Sequence, residues 1–347
     1  MTEFPGVSYV MPVLNESAYL EEAVTSILAQ EYAGEKELVL ALGPSHDSTN
    51  EVAKQLSAAD SRIILVDNPL GRTPIGLNLA IRASTLPIVI RVDAHSELPK
   101  NYTQRGIETL YRVNAHDVGG LMDAKGRTPI QRGIAAAYHS KFGFGGPAYH
   151  SGAPEGPSES AYLGIFRREV FEEVGYYNEE LWRAQDWELC LRIRKAGHTV
   201  WFDPELRVGY YPRDSFKSLI SQSMASGTWR AEIARRFPEG KSLRHDVPPI
   251  LLAGVATGFV AAVVEPLTRE SAPTGLRVVL NVAKTIPAIY ASIALVAGLS
   301  SNAKGLKDKL LAACAFPAIH LPWAVGYIKG RVCGAAGTVD KGRVKKS

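Results

Sequence analysis

The chain is poor in cysteine and lacks a recognisable targeting signal. Its 347 residues include only three cysteines, Cys190, Cys314 and Cys333, and none belongs to a C-x-x-C pair, which excludes a disulfide scaffold and a structural zinc site. The N-terminus lacks a basic segment followed by a long apolar stretch, so we expect no secretory signal and a cytoplasmic start. A net charge of only +4 gives no indication of a nucleic-acid partner.

Long apolar runs are missing from residues 1–246 and then occur in succession. Hydrophobic residues make up 46% of the chain and charged residues 21%, which excludes a disordered protein. Residues 247–264, 285–303 and 310–328 contain no Asp, Glu, Lys or Arg. At about 1.5 Å per residue, each run approaches the thickness of a bilayer core, about 30 Å. Three such runs in a row predict membrane segments, whereas one alone could equally be a buried core helix.

The charges around these runs leave the number of membrane spans open. Lysines at 304, 307 and 309 and a basic tail from Lys329 onward both look cytoplasmic by the positive-inside rule. Three full spans would place one of these two regions outside. The third run contains Pro317, His320 and Pro322, which we expect to break it. We therefore favour two spans with a re-entrant or interfacial third segment, and three spans are the alternative.

Strand and helix patterns alternate over the first 230 residues. Runs rich in β-branched residues predict strands at residues 7–11, 38–42, 62–66 and 87–92, and helical spacing predicts helices at 16–30, 48–56 and 73–84. This alternation is typical of an α/β fold with a largely parallel sheet. Ligands bind such sheets beyond the carboxyl ends of the strands. Polar residues follow the predicted strands at these ends: Asn15, Glu16, Ser45, Asp47, Asp67, Asn68, Asp93 and His95.

Glycine motifs that bind phosphate do not follow these strands. The first strand continues into PVLNE where a dinucleotide-binding protein would carry G-x-G-x-x-G, and no P-loop occurs. A formal match at Gly143, Gly145 and Ala148 includes Pro147, follows no predicted strand and opens no helix. We discount it, so the sequence does not indicate a dinucleotide-dependent dehydrogenase.

An ordered set of motifs resembles one enzyme family. The motifs are PVLNE at 12–16, SILAQ at 26–30, S-x-D-x-T at 45–49, Asn78 in GLNLAI, VDAH at 92–95 and the pair Gln185 and Asp186. Over about residues 7–236 they resemble the family 2 glycosyltransferases of the GT-A fold. RVDAHS at 91–96, AYLGIFRREVFEEVG at 161–175 and GTWRAEIARRFP at 227–238 resemble the subgroup that builds succinoglycan-type exopolysaccharide on a lipid carrier.

This resemblance implies a domain arrangement and a reaction. We expect a Rossmann-like GT-A domain over 1–240, a helical membrane-anchoring region over 241–330 and a basic tail over 331–347. The implied reaction is inverting transfer of a sugar from a nucleotide sugar to a lipid-linked glycan or lipid acceptor, at the cytoplasmic face of the cell membrane. A UDP-sugar is the first expectation, although Leu42 and Gly43 stand where family members often carry acidic residues before S-x-D.

The resemblance also implies a metal and a base. Sugar transfer expels a diphosphate, whose charge a divalent cation or cationic side chains must offset. Asp93 is the expected metal or diphosphate residue, with Mn²⁺ or Mg²⁺ as cofactor. His95 replaces the second Asp of the family's D-x-D, and a histidine ligand suits Mn²⁺ better than Mg²⁺. Asp186 is the expected base for the acceptor hydroxyl, although a helix N-terminus alone would also favour an Asp there. Gln185 replaces the family's acidic neighbour.

Other contacts are expected from the same resemblance. Nucleotide-sugar contacts are assigned to Pro12, Asn15, Glu16, Ser45, Asp47, Arg72 and Asn78. For Asp47, helix capping or loop closure is favoured over a nucleotide contact, and helix capping is the equal alternative for Glu16. Acceptor or diphosphate contacts are assigned to Gln185, Trp229 and Arg230, with helix packing or contact with the membrane surface as the alternatives for the last two. The Gly- and Pro-rich stretch 143–160 is expected to be a lid or binding loop, and 160–166 a strand.

Two other functions fit the sequence less well. A polyprenyl-phosphate sugar synthase would use an ionised phosphate as acceptor, which needs no base. A degenerate transferase acting as a membrane scaffold would explain the loss of acidic residues at 42, 43 and 185. The presence of both Asp93 and Asp186 argues against the scaffold.

Overall fold

The computed structural model describes residues 4–143, 149, 152–268, 272–336 and 338. They fall into two compact units, which are described separately. The first contains the described residues of 1–124 and 146–211, and the second those of 125–145 and 212–345. The functional boundaries expected at 240 and 330 stay predictions, because these units are defined by packing alone. Most of the basic tail and residues 144–148, 150 and 151 of the expected lid lie outside the described residues.

Strands and helices alternate along the first half of the chain, and helices follow. The strands are β1 (Val7–Val13), β2 (Lys36–Leu42), β3 (Ile63–Asp67), β4 (Ile88–Arg91), β5 (Ser96–Glu97), β6 (Asp117–Ala124), β7 (Gly156–Pro157), β8 (Ile165–Arg167) and β9 (Val200–Tyr210). The helices are α1 (Leu20–Leu28), α2 (Thr49–Ala59), α3 (Thr73–Ala83), α4 (Tyr102–Arg112), α5 (Pro129–Tyr138), α6 (Glu169–Val174), α7 (Gln185–Lys195), α8 (Phe216–Arg236), α9 (Val247–Thr268), α10 (Thr274–Ala283), α11 (Ile286–Leu299) and α12 (Leu306–Cys333).

The strands of the first unit form one mixed, mostly parallel sheet. Their order is β3-β2-β1-β4-β8-β6-β9-β5, and β7 pairs with β9 outside this path. The strands β1, β2, β3 and β4 run parallel to one another, whereas β8 runs antiparallel between β4 and β6. The predicted α/β fold and its first four strands are therefore confirmed. The strand expected at 160–166 is shorter and begins only at Ile165.

Apolar side chains cover both faces of this sheet. Tyr9 and Met11 of β1 belong to a cluster that includes residues of α1, α2 and α4. Val10 belongs to a second cluster, with residues of α3, α6 and α7. All three side chains are fully buried. A strand buried on both faces reads as a continuous apolar run, which is why the sequence pattern indicated it.

The second unit contains the predicted membrane segments. Three of its described helices are long and apolar enough to cross a membrane: Leu243–Thr268, Thr274–Leu299 and Leu306–Cys333. The second begins earlier than the uncharged run suggested and includes Lys284, whose Nζ lies 3.3 Å from Oε2 of Glu265 in α9. This ion pair offsets the cost of a charge inside an apolar helix.

The expected break in the third segment is wrong. Helix α12 continues through Pro317 and Pro322 from Leu306 to Cys333. Each proline removes one backbone donor, and close packing of neighbouring helices supports the backbone at such positions. A Cβ on Gly227 of α8 would lie 2.0 Å from the carbonyl oxygen of Trp323, and a Cβ on Gly326 would lie 2.0 Å from that of Met224. The backbones of α8 and α12 therefore touch at positions where only glycine fits.

Candidate active site

The loop after β1 is joined to the loop after β2 by Asn15. The Asn15 side-chain oxygen accepts a hydrogen bond from the N–H of His46 (2.8 Å), and the Asn15 N–H donates to Oγ of Ser45 (3.1 Å). Asn15 has φ of +55°, a left-handed conformation that asparagine tolerates better than most residues. Asn15 and Ser45 thus shape the edge of the sheet where a ligand is expected. A nucleotide contact from either stays a prediction.

Asp47 closes the same pair of loops. Its carboxylate accepts hydrogen bonds from Oγ of Ser17 (2.8 Å) and from the N–H of Thr49 (3.1 Å), and also from the Thr49 hydroxyl. Burial acts against its charge, but these hydrogen bonds lower the pKa of Asp47 below its ordinary value. These contacts describe loop closure, one of the roles favoured for this residue above.

Asn78 and Arg72 both brace the segment that leads into α7. Asn78 is 1% exposed, and its amide donates to the carbonyl of Tyr177 (2.9 Å) and accepts from the Tyr177 N–H (2.9 Å). The guanidinium of Arg72 lies 4.6 Å from the centroid of the Trp182 ring, in a cation–π contact. The burial of Asn78 does not support a direct nucleotide contact. Pro12 lies within β1, opposite Ala41 in the register.

Asp93, His95 and Glu16 lie at the carboxyl ends of β4 and β1. Asp93 follows β4 by two residues, and Nδ1 of His95 lies 3.1 Å from Oε1 of Glu16. An ionised carboxylate accepts only, so this hydrogen bond requires a proton on Nδ1. Among the described residues there is no cluster of three or more His, Cys, Asp or Glu side chains that could hold a metal ion. A cation here would need oxygens from the substrate, as is usual for Mg²⁺ at phosphate sites.

Asp186 lies in the first turn of α7. The preceding Ala184 has φ of +61°, an uncommon conformation for a residue with a side chain, which sets the direction of the helix at its start. The Asp186 side chain is 36% exposed. Gln185 is 6% exposed, and within the described part of the chain its side-chain oxygen has no hydrogen-bond partner.

The side chain of Arg91 connects the two carboxylates that the sequence singled out. Its Nη1 forms a short ion pair with Oδ1 of Asp186, and its Nη2 lies 3.3 Å from Oδ1 of Asp93. Arg91 ends β4, and its side chain is only 9% exposed. Burial opposes its charge, but the carboxylates of Asp186 and Asp93 together raise the pKa of Arg91 well above its ordinary value. The guanidinium is therefore a permanent positive charge between them.

No role for Arg91 was predicted from the sequence, although its position within an apolar strand indicates one. The strand around it reads PIVIRV, and an arginine inside a buried apolar strand is rarely found without a partner. The identity of its partners was not visible, because Asp186 lies 95 positions further along the chain.

A buried acidic residue, Asp117, was also missed. Asp117, at the start of β6, is fully buried, and Sγ of Cys190 on α7 donates to its Oδ2 (3.3 Å). Oδ1 of Asp117 has no hydrogen-bond partner among the described residues. Burial raises the pKa of Asp117 well above its ordinary value, so the group holds a proton where an exposed aspartate would not. Cys190 follows Asp186 by one helical turn.

Trp229 and Arg230 belong to the second unit. Both lie on α8, where Trp229 is 4% exposed and its Nε1 donates to the carbonyl of Thr338 (3.0 Å). For Trp229 this is the packing role given above as the alternative. A contact of either residue with an acceptor stays a prediction.

Comparison with known proteins identifies the family. The profile of the glycosyl transferase family 2 matches residues 8–175. The succinoglycan biosynthesis protein ExoA of Rhizobium meliloti is 29% identical over 322 residues, which cover 92% of both chains. A dolichyl N-acetyl-α-D-glucosaminyl phosphate 3-β-D-2,3-diacetamido-2,3-dideoxy-β-D-glucuronosyltransferase of Methanococcus voltae is 23% identical over 239 residues, covering 66% of this chain and 74% of that one.

A solved structure supports the same fold. The mannosyltransferase PcManGT of Pyrobaculum calidifontis, in complex with GDP-Man and Mn²⁺, superposes with a TM-score of 0.57. The match covers 95% of this chain and 88% of the other, at 16% sequence identity. At that identity the likeness concerns the fold. Together with the matched profile and motifs, it shows that residues 8–175 form a family 2 glycosyltransferase domain and that this chain is a glycosyltransferase.

Proposed function

We propose that this protein is an inverting glycosyltransferase that moves a sugar from a nucleotide sugar to a lipid-linked acceptor at the cytoplasmic face of the membrane. The observation that carries the proposal is the pairing of Asp93 and Asp186 through Arg91. One carboxylate follows a central strand, where donors bind in α/β sheets. The other lies at a helix start with its side chain partly exposed, where an acceptor can reach it.

In the proposed reaction Asp186 takes the proton of the acceptor hydroxyl. The acceptor oxygen forms a bond to the anomeric carbon as the bond from that carbon to the diphosphate oxygen breaks. The nucleoside diphosphate leaves with the bonding electron pair, so charge and atoms balance in one displacement. A single base and a single displacement invert the anomeric centre. A positioned carboxylate contributes about 10²–10⁴-fold to such a proton transfer.

The residues around Asp93 fit a divalent cation. The carboxylate of Asp93 and the imidazole of His95 offer one oxygen and one nitrogen ligand, a set that favours Mn²⁺ over Mg²⁺. Glu16 would act behind His95, since histidine ligands commonly donate their other N–H to a carboxylate. The cation supplies positive charge against the leaving diphosphate. The PcManGT complex with Mn²⁺ supports a metal of this kind.

The acceptor is proposed from the relatives and from the membrane helices. One relative takes part in succinoglycan biosynthesis, and the other is named for a dolichyl-phosphate-linked sugar. Lys241 and Arg244 precede α9. Near an anionic membrane each such charge adds about 1 kcal/mol of attraction. An acceptor carried on lipid would therefore be presented where the enzyme is anchored. A UDP-sugar is the first donor to test.

We further propose that only two of the three apolar stretches cross the bilayer. α12 packs backbone to backbone on α8, near Gly227 and Gly326. Helix α8 carries Lys217, Gln222 and several serines, which are unsuited to hydrocarbon. If α12 crossed the membrane, α8 would have to enter with it. An interfacial α12 avoids this cost and leaves both flanking basic regions on the cytoplasmic side.

The proposal is tested by binding and by product analysis. Thermal shifts of the purified protein with UDP, GDP, dTDP and CMP, each with Mn²⁺ or Mg²⁺, identify the donor base. The matching nucleotide sugar is then incubated with membrane lipid extract. A new glycosidic bond on a lipid-linked sugar supports the proposal. A sugar attached directly to a lipid monophosphate would instead make the protein a polyprenyl-phosphate sugar synthase. Absence of both nucleotide binding and product would favour the scaffold.

A further inference from the structure

Arg91 occupies a buried position where an apolar residue would avoid the desolvation cost of a charged group. Burying a guanidinium costs several kcal/mol unless it is paired with good geometry. Its neighbours in the sheet are apolar: Val10 is its register partner in β1, and Ile90 precedes it. One carboxylate would be enough to neutralise the guanidinium in a purely structural ion pair. Arg91 has two, and they come from segments far apart in sequence.

Both carboxylates that contact Arg91 are more exposed than Arg91 itself. The side chain of Asp186 is 36% exposed and that of Asp93 is 21% exposed, whereas that of Arg91 is 9% exposed. The guanidinium therefore approaches both carboxylates from the protein side. A guanidinium holds its N–H donors in a fixed planar fork, so Nη1 serves Asp186 while Nη2 serves Asp93, a geometry that a single ammonium nitrogen cannot provide. Such a contact restricts the rotamer of Asp186 and so fixes where its carboxylate lies.

We propose that Arg91 is a positioning residue that orients the base Asp186 and ties it to the donor-site carboxylate Asp93. This inference rests on the proposed function, since it assumes that Asp186 takes the acceptor proton. Arg91 need not touch the substrate. It acts by holding the carboxylate at a fixed place relative to the end of β4, where the anomeric carbon must lie for the attack.

The test compares Arg91→Lys and Arg91→Met with Asp186→Asn, alone and combined. A misplaced catalytic group commonly costs about 10²-fold in rate. We expect Arg91→Met to lower kcat by about that factor with little change in the KM for donor, and Arg91→Lys to lower it less. In the Asp186→Asn background, Arg91→Met should cost little more, because groups that act as a unit are not additive.

A matched control separates positioning from plain stability. Arg105 and Asp203 form another ion pair in the same unit, with Nε 2.8 Å from Oδ2; Asp203 is fully buried and the Arg105 side chain is 36% exposed. Arg105→Met should lower the melting temperature and leave kcat nearly unchanged. Equal kcat losses at Arg91 and Arg105 would overturn the inference, as would wild-type kcat in Arg91→Lys. If the kcat losses of Arg91→Met and Asp186→Asn multiply in the double variant, the positioning role of Arg91 is overturned, while the proposed function still stands. Near-normal kcat in Asp186→Asn would instead overturn the proposed function.

Discussion

The imidazole of His95 and the carboxylate of Glu16 face each other across the ends of two parallel strands, with Nδ1 3.1 Å from Oε1. The contact joins the loop after β1 to the loop after β4. It fixes the orientation of the ring, and with a neutral ring it leaves the lone pair on Nε2. Glu16 was expected to touch the nucleotide or to cap a helix. We propose that through this contact Glu16 orients His95 as a metal ligand.

The first prediction concerns this orientation. Glu16→Ala should weaken Mn²⁺ binding by about 10–100-fold, the usual effect of removing a carboxylate behind a histidine ligand. Mn²⁺ affinity is measured by electron paramagnetic resonance titration in the presence of the nucleoside diphosphate found in the thermal-shift panel. Glu21→Ala, on the exposed side of α1, is the control and should bind as the parent does. Unchanged affinity in Glu16→Ala would remove His95 from the metal site.

The second prediction concerns Asp93. Asp93→Asn should lose nearly all turnover while the protein stays folded, because a neutral amide is a poor ligand for a divalent cation and carries no charge. Turnover and melting temperature are measured together. The control is Asp60→Asn, at the residue that directly follows α2. Full activity of the parent enzyme in excess EDTA would contradict a metal at this position.

The third prediction concerns the pH dependence of stability. Burial raises the pKa of Asp117, so the folded state keeps a proton that the unfolded state loses above about pH 4. Stability contributed by this group therefore falls as pH rises, by about 1.4 kcal/mol per pH unit until the folded pKa is reached. The asparagine in Asp117→Asn has the shape of the aspartic acid side chain but does not titrate. The melting temperature of this variant should exceed that of the parent at pH 8, and the gap should narrow toward pH 5.

Asp203 serves as a control, because its contribution to stability should depend on pH in the opposite direction. Burial acts against its charge, but hydrogen bonds from Arg105 and Thr109 lower its pKa. Asp203→Asn should therefore be destabilised at neutral pH, and the loss should shrink as pH falls. A lower melting temperature for Asp117→Asn than for the parent at pH 8 would contradict a protonated Asp117.

The fourth prediction concerns membrane topology. Cys333 ends α12 and is exposed, so it reports on the side of the membrane at that end once Cys314 is replaced by Ser. Asn302→Cys, in a protein lacking both exposed cysteines, reports on the connection before α12. With an interfacial α12, a membrane-impermeant maleimide should label both from the cytoplasmic side, in inside-out vesicles. Labelling from opposite sides would mean that α12 crosses the bilayer.

Much of the fold could be predicted from the sequence, because its signals are local. The strands β1, β2 and β4 are largely buried on both faces, the edge strand β3 is partly buried, and all four read as apolar runs. The helices between them show helical spacing. The contacts of Arg91 and Asp117 depend on long-range pairing, since β8 inserts between β4 and β6 from a distant segment. The continuity of α12 through its prolines depends on packing against α8. Neither can be read from a local pattern.

The proposed role of Asp186 as the base can be tested through the kcat of Asp186→Asn. The asparagine keeps the size of the side chain but cannot take the acceptor proton, so kcat should fall at least about 10²-fold with donor affinity little changed. Glu188→Gln is the control on the same helix, where Glu188 is buried and paired with Arg192 (2.8 Å). It should affect stability more than kcat. Near-normal kcat in Asp186→Asn, or equal losses in both variants, would contradict the assignment of the base.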